Sequence, residues 1–458
     1  VKFIVGRDAL GEAVSFVARA LPTRPVVPVL SGLLVEADGG ELTLSCFDYE
    51  VSARVTVAAE VGEPGTALVP GRLLAEITRS LPDADVEVAT AAGMVMLTCG
   101  SAEFAVVALP LEDYPALPEL PAAAGTVDGG VLATAAAQIV PSASRDDTLP
   151  MLTGVCLDFD GPELTLAATD RYRLAVRTVS WQPADPELRA SALVPARTLA
   201  DVARSMGSGK PVTIAFGQAS QDGSRPADGM ISFEGGGRRL TARLIGTEFI
   251  RYRSRFPAAF EAVAELAAGP FLEAVRRVSL VADRVTPVQL AFRRDMVVIE
   301  ARSDGRARAV ESVPVTFDGT DQMISFNPQY LLDGITAAAL GGQGQSGQGQ
   351  SGQGHSGQGH SGSGDANVGP AASAGRIRLE FTSPAKPALI SWIDGDATAG
   401  AGADGATLAD RQQPAGNGAA SPAAGPDEPG ALDPGERRPA DAAPFRYLVV
   451  PLRVPVSG

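Results

Sequence analysis

The stretch Leu164 to Arg177, LTLAATDRYRLAVR, decides the fold. Apolar residues alternate with polar ones on both sides of Thr169-Asp170, the pattern of two half-buried strands joined at a tight corner. The pattern occurs twice more, as LTLSCFDYEVSARV (Leu42 to Val55) and VVIEARSDGRARAV (Val297 to Val310). Copies this far apart are whole domains, because solenoid repeats recur every ~20–50 residues. The 458 residues therefore divide into three units, expected at 1–121, 126–257 and 258–458, near the usual domain size of about 150 residues. Only the middle copy places Arg171, Tyr172 and Arg173 in its corner.

Outward from the three copies the units share one order of elements. The first opens with strand KFIV and a helix from about Asp8 to Leu21, whose Leu10, Ala13, Val14, Val17 and Ala20 fall on one face. TRPVVPVLSG leads into a hairpin across Asp38-Gly39-Gly40, and VPGRLLAEITRSL runs from a strand end into a helix from about Gly71 to Leu81. In the second unit a helix from about Gly129 to Pro141 is followed by SRDDTLPMLTG and later VPARTLADVARSM, which answer those two segments. The third has a helix from about Phe271 to Val281, then FNPQYLLDGITAA, RIRLEFTSPAKPALISWI and the apolar strand RYLVVPLRV. Low-complexity insertions at about 341–375 and 396–443 offer almost nothing to bury and are expected to be flexible tethers. The class is α+β.

Composition narrows the function. A 45% hydrophobic and 20% charged chain describes a soluble globular protein, with no apolar run near the ~18 residues that cross a membrane. VKFIVGRDAL lacks the features of a secretory signal. Cys46, Cys99 and Cys156 are odd in number and sit in strand-like runs, so buried reduced thiols and a cytoplasmic location are expected. His355 and His360 are the only histidines and lie in low-complexity sequence, which leaves almost no material for a metal centre or a Ser-His-Asp triad. Asp170 has no partner base, nucleophile or metal set, and the Gly-rich tract lacks the GK[ST] of a phosphate loop. No cofactor and no catalytic residue are expected.

Net charge is −15, yet the cations recur at equivalent places. Arg72 and Arg79 lie on the second helix of the first unit, Arg197 and Arg204 on its counterpart in the second, Arg276 on the opening helix of the third, and Arg24 after the first helix. Such arginines also form the ordinary solvated face of an amphipathic helix. Gathered on one surface they suit backbone phosphates without base readout. The second constellation sets Thr169, Arg171, Tyr172 and Arg173 beside the apolar Leu448 to Arg453 strand, the composition of a peptide-binding hot spot as well as of a plain surface turn.

Taken in order, VKFIVGRDAL, TRPVVPVLSG, VPGRLLAEITRSL, LTLAATDRYRLAV, FNPQYLLDGI and YLVVPLRV resemble the beta sliding clamps of bacterial DNA polymerase III, over the whole chain except the insertions and the last few residues. The resemblance implies three similar domains, each with two helices packed on curved antiparallel sheets, and a head-to-tail homodimeric ring around duplex DNA. It implies a non-catalytic processivity factor that tethers the polymerase III alpha subunit, the clamp loader and other proteins bearing a clamp-binding motif, often with a Gln and a Leu-Phe-like end. Carried over by position, the partner pocket comprises Leu152, Thr169, Arg171, Tyr172, Arg173, Leu174 and Ile250 of the second unit. From the third it takes Val285, Asn327, Tyr330, Ala385, Pro387, Leu448, Val449, Val450, Pro451, Leu452 and Arg453. The arginines above become DNA-facing, and Phe104 and Val106 pair with a partner's Leu280 region. The chain departs from the family where Met-Pro-Met-Arg is common and Val450-Pro451-Leu452-Arg453 stands, where Ile250 replaces a common Pro, and where Pro455 to Gly458 extend it. Those departures admit a second reading, a specialised second clamp with altered affinity for pocket-directed inhibitors. A clamp-fold interaction scaffold that has lost loading or ring closure is a further alternative.

Overall fold

A computed structural model describes residues 1–118, 121–207, 209–217, 229–282, 286–303, 306–341, 375–393 and 444–452. Both insertions, the Pro455 to Gly458 extension, Val285 and Arg453 therefore lie outside the described residues. The deciding stretch is a hairpin: Glu163–Thr169 pairs antiparallel with Arg173–Ser180, from Glu163 opposite Ser180 to Thr169 opposite Leu174. Its counterparts are Glu41–Phe47 with Val51–Ala58, and Met296–Ser303 with Ala307–Pro314. The preceding hairpin of the first unit turns on Gly39 and Gly40, at φ 58° and 87°. A two-residue turn that follows the strand twist needs both positions left-handed, which glycine adopts without a Cβ clash.

The sheets do not stop at unit boundaries. One nine-stranded sheet carries the first-unit strands Gly65–Pro70, Gly32–Asp38, Glu41–Phe47 and Val51–Ala58 directly onto the second-unit strand Arg238–Arg243, with Ala53 opposite Leu240. The other nine-stranded sheet carries Arg189–Pro195, Gly154–Asp160, Glu163–Thr169 and Arg173–Ser180 onto the third-unit strand Phe445–Val449, with Arg173 opposite Val449. At the chain's two ends are a five-stranded sheet with Ala102–Val107 at one edge and a four-stranded sheet with Ala307–Pro314 at one edge. Alternation along these strands puts one face into a continuous core, where Leu42, Leu164, Val297, Phe233 and Phe326 are fully buried. The roots of the long insertions, at Gly341, Gly375, Ile393 and Pro444, gather at one end of the third-unit sheet, where Arg376 pairs with Ile393. Leu448 and Val449 lie toward the other end, against Leu174 and Arg173.

Each unit packs two long helices side by side on one face: Arg7–Ala18 with Gly71–Ser80, Gly129–Ile139 with Ala196–Met206, and Ala268–Ser279 with Pro328–Leu340. Gly129–Ile139 also touches Pro328–Leu340, so the helix layer crosses the second boundary as the sheet does. The first helix ends at Ala18, three residues short of the expected Leu21. Ala20 N–H and Leu21 N–H instead reach back to the Val17 and Ala18 carbonyls, a three-residue step that tightens and closes the last turn. Among the described residues no helix is long and apolar enough to cross a membrane.

Candidate functional site

The corner at Asp170 is built by one carboxylate. Its Oδ1 accepts the backbone N–H groups of Tyr172 at 3.0 Å and Arg173 at 3.1 Å, which turns the chain within three residues. Arg171 is left in the left-handed region at φ 81°. The first unit repeats the device: Asp48 Oδ1 accepts Glu50 N–H at 3.0 Å and Val51 N–H at 2.7 Å, and Tyr49 stands at φ 73°. The backbone of the two corners is one design, and the side chains are not.

Beyond Val449 the chain stays bound to the second-unit corner. Val450 N–H donates to the Tyr172 carbonyl at 2.8 Å, and Leu452 N–H to the Ser325 carbonyl at 2.7 Å. A cleft of about 1040 Å³ opens beside the corner, lined by Arg145, Leu152, Arg171, Tyr172, Tyr330 and Asp333 among others. Tyr172 is 54% exposed and stacks on Tyr330 with ring centroids 6.1 Å apart. Arg171, Ala385 and Leu452 are also exposed, and Ile250, Tyr330, Pro387 and Val450 are half-buried. Leu152, Thr169, Leu174, Leu448, Val449 and Pro451 are buried and form the support beneath. Two stacked tyrosines and apolar side chains thus meet charged ones, among them Arg145, Asp146 and Asp333, around the cleft.

Two expected pocket residues also have structural work. Arg173 is only 9% exposed at its side chain. Nε donates to Asp170 Oδ2 at 2.9 Å, the Nη groups reach Asp333 Oδ2 and the Pro141 carbonyl, and the guanidinium lies 4.5 Å from the Tyr330 ring centroid. Burial works against its charge, but Tyr447, Asp333 and Asp170 outweigh that and raise its pKa above the ordinary arginine value. Arg173 is thus a clasp between the second and third units that also lines the cleft. Asn327 caps the helix Pro328–Leu340: its side chain accepts Gln329 N–H at 2.9 Å and Tyr330 N–H at 3.2 Å. The Asn-Pro order at a helix start carries that signal in the sequence.

The arginines expected to face DNA are all exposed and all lie on or beside the helix layer. Arg24 and Arg197 share a depression of about 270 Å³ with Arg19. Arg79 shares another, of about 530 Å³, with Arg7, Arg19 and Arg238. Arg72 donates to the Pro22 carbonyl at 3.0 Å, and Arg204 and Arg276 are ion-paired one turn back with Asp201 and Glu273 at 2.8 and 2.7 Å. Sequence reading missed Arg7, Arg19 and Arg238; Arg238 is far away in sequence but reaches Glu12 and lies over Phe16. At the sheet edge Phe104 is half-buried and Val106 is 5% exposed, both packed into their own unit, whereas Leu280 is 84% exposed just past its helix.

Three continuous units with sheets running across their boundaries, helices confined to one face and a cleft at the second junction define a clamp fold. The family models agree: the N-terminal, central and C-terminal domains of the DNA polymerase III beta subunit match residues 1–118, 126–250 and 253–340. The beta sliding clamp of Streptomyces coelicolor is 50% identical over 337 residues, covering 74% of this chain and 88% of that protein. The beta sliding clamp homolog GriR of Streptomyces muensis is 42% identical over 336 residues, covering 73% and 88%. A Pseudomonas aeruginosa sliding clamp solved with griselimycin superposes with TM-score 0.74 at 21% identity, covering 99% of each chain. The Bacillus subtilis clamp gives 0.73 at 21% identity, again covering 99% of each. The chain belongs to the DNA polymerase III beta subunit family. It is a beta sliding clamp, a processivity factor and not an enzyme.

Proposed function

We propose that two copies close head to tail into a ring that encircles duplex DNA, with the helix layer inward. The observation that carries this reading is the pair of free sheet edges. Inside the chain, Val51–Ala58 pairs with Arg238–Arg243, and Arg173–Ser180 pairs with Phe445–Val449. Ala307–Pro314 and Ala102–Val107 are the strands equivalent to the two sides of those joints, and each ends a sheet. An exposed edge is a template for pairing, and joining these two in a second copy repeats the internal joint and closes after two chains. Phe104 supports that edge from within and Leu280 meets the partner beside it. Val106 acts only by holding the edge strand to its own core.

Arg24, Arg79 and Arg197 then serve as the main phosphate contacts, with Arg72, Arg204 and Arg276 weaker because of their own partners. Contacts of this kind position DNA without reading its sequence. The cleft at the second junction takes a partner's motif, with Tyr172, Tyr330, Arg171, Ile250, Val450 and Leu452 at the contact and Leu152, Thr169, Leu174, Leu448, Val449 and Pro451 beneath. The free, buried thiols of Cys46, Cys99 and Cys156 support a reducing, cytoplasmic setting. Burial holds Cys46 up to about 12, so it stays an unreactive thiol.

Retention on nicked circular DNA tests the ring: the loaded protein is expected to stay on circles and to leave when they are linearised. Retention that ignores linearisation overturns topological linkage. The reading as a specialised second clamp draws on Val450 and Leu452, which are stiffer than methionines at a binding surface. The higher identity to the Streptomyces coelicolor clamp, 50% against 42% for the GriR homolog, favours the replicative reading.

A further inference from the structure

The outer faces of the first and central sheets are covered by equivalent segments that end differently. Leu109 N–H donates to the Leu68 carbonyl at 2.8 Å, and Ile245 N–H donates to the Leu193 carbonyl at 2.8 Å, so both segments leave from the same place. In the first unit the segment closes down. Leu109 and Tyr114 pack on Val29, Leu30, Leu34 and Leu68, and the Tyr114 hydroxyl accepts Phe47 N–H at 2.8 Å.

In the central unit Tyr252 of the segment is buried against the sheet, but the residues before it stand over a cavity of about 770 Å³ walled by Leu193, Leu244, Ile245, Phe249 and Ile250. The floor is saturated: Asp158 accepts from Tyr252 and Ser191 hydroxyls, each at 2.7 Å, and from the Cys156 thiol at 3.2 Å. Burial raises the pKa of Cys156 and of Tyr252, so both keep the protons they donate. The polar groups left for a ligand stand at the mouth. Arg251 and Arg253 line it, exposed, and Arg255 follows on the same segment. Arg253 Nε donates to the Tyr252 hydroxyl at 3.3 Å and an Nη lies 3.7 Å from Asp158, yet the side chain stays 62% exposed. Arg251, Arg253 and Arg255 against the exposed Glu248 leave a net basic rim in a chain of net charge −15. The cavity adjoins the proposed partner surface at Ile250, which lines it and packs against the apolar cluster that holds Cys156, Leu193 and Tyr252 together with Leu174 and Leu448.

We propose that this cavity extends the partner site and takes residues flanking the docked motif: an apolar side chain within, and an acidic residue against Arg251 and Arg253. The proposal rests on reading the cleft as the partner site. Its volume suits a few side chains, and opposite charge at the rim favours acidic partners over basic ones. The cavity is where this clamp discriminates among partners that carry the same core motif.

Two synthetic peptides test it on the full chain: a core with a Gln start and a Leu-Phe end, and the same core extended at both ends by Asp, Glu and Leu. The extended peptide is expected to bind about tenfold tighter at ~0.15 M salt. The gain is expected to vanish in the double variant Arg251→Glu/Arg253→Glu, and in Gly246→Trp, where an added Cβ meets nothing within 4 Å and the ring fills the space. Core affinity stays unchanged in both. If the extended peptide gains nothing, or its gain survives both variants, the cavity proposal is overturned and the cleft stands. If the core peptide fails to bind the unaltered protein, the reading of the cleft itself fails and takes the proposal with it.

Discussion

The corners at Asp48 and Asp170 are the same turn put to two uses. Each carboxylate accepts two backbone N–H groups, and each is followed by a left-handed residue, Tyr49 or Arg171. Around Asp48 the neighbours are Phe47, Glu50 and Val51, and Tyr114 seals the outer face. Around Asp170 they are Thr169, Tyr172 and Arg173, and a cleft opens beside the corner. Repetition supplied the backbone. Function entered through a few side chains and the segment that covers them.

The sharpest way to break that comparison is at the residue after each turn. Arg173→Ala leaves Asp170 and Asp333 without their buried cation and should lower unfolding stability by about 3 kcal/mol, while Val51→Ala at the equivalent place should cost about 1 kcal/mol. Equal losses in thermal unfolding would mean that the second junction has no special clasp. Next in size is binding. Tyr172→Ala should weaken a core-motif peptide by roughly tenfold or more in a fluorescence titration, with Tyr49→Ala leaving it unchanged; a loss in both would point to indirect effects through the sheet.

Smaller effects separate the turn from the charge. Asparagine keeps the side-chain acceptor, so Asp48→Asn should fall within about 0.5 kcal/mol of the parent, whereas Asp170→Asn also weakens a partly buried ion pair and should cost about 1 kcal/mol more. Denaturant midpoints for the two variants read this directly, and matching midpoints would remove Asp170 from the clasp. Smallest of all, Tyr49→Gly and Arg171→Gly relieve a left-handed φ but loosen the unfolded chain, and the two effects nearly cancel, to within about 0.5 kcal/mol. A clear gain at one corner alone would show strain there that the other lacks.

Most elements were legible because alternation and helical spacing are local. The three hairpins, the paired helices and the returning strand at Phe445–Val449 all follow from patterns within about ten residues. The joints between units were not legible. Arg238–Arg243 against Val51–Ala58 is a pairing across most of two domains, and no local pattern marks it. Arg173 shows the same limit at the site. Its place in the corner is written in TDRYR, but its capture by Asp333 depends on a helix far along the chain. Arg238 was missed for that reason too, since it joins Arg7, Arg19 and Arg79 only when the first two units meet.

The strand Phe445–Val449 lies between Arg173–Ser180 and Ala388–Ile393, so it finishes the third unit and joins it to the second in one step. During synthesis the earlier units emerge and fold first. A nascent chain not yet extended to Phe445 already carries the Asp170 corner and the arginine-bearing helices, but it lacks the strand and the Val450 bond to Tyr172. On the proposed reading, the docking surface is complete only when this last strand has been made.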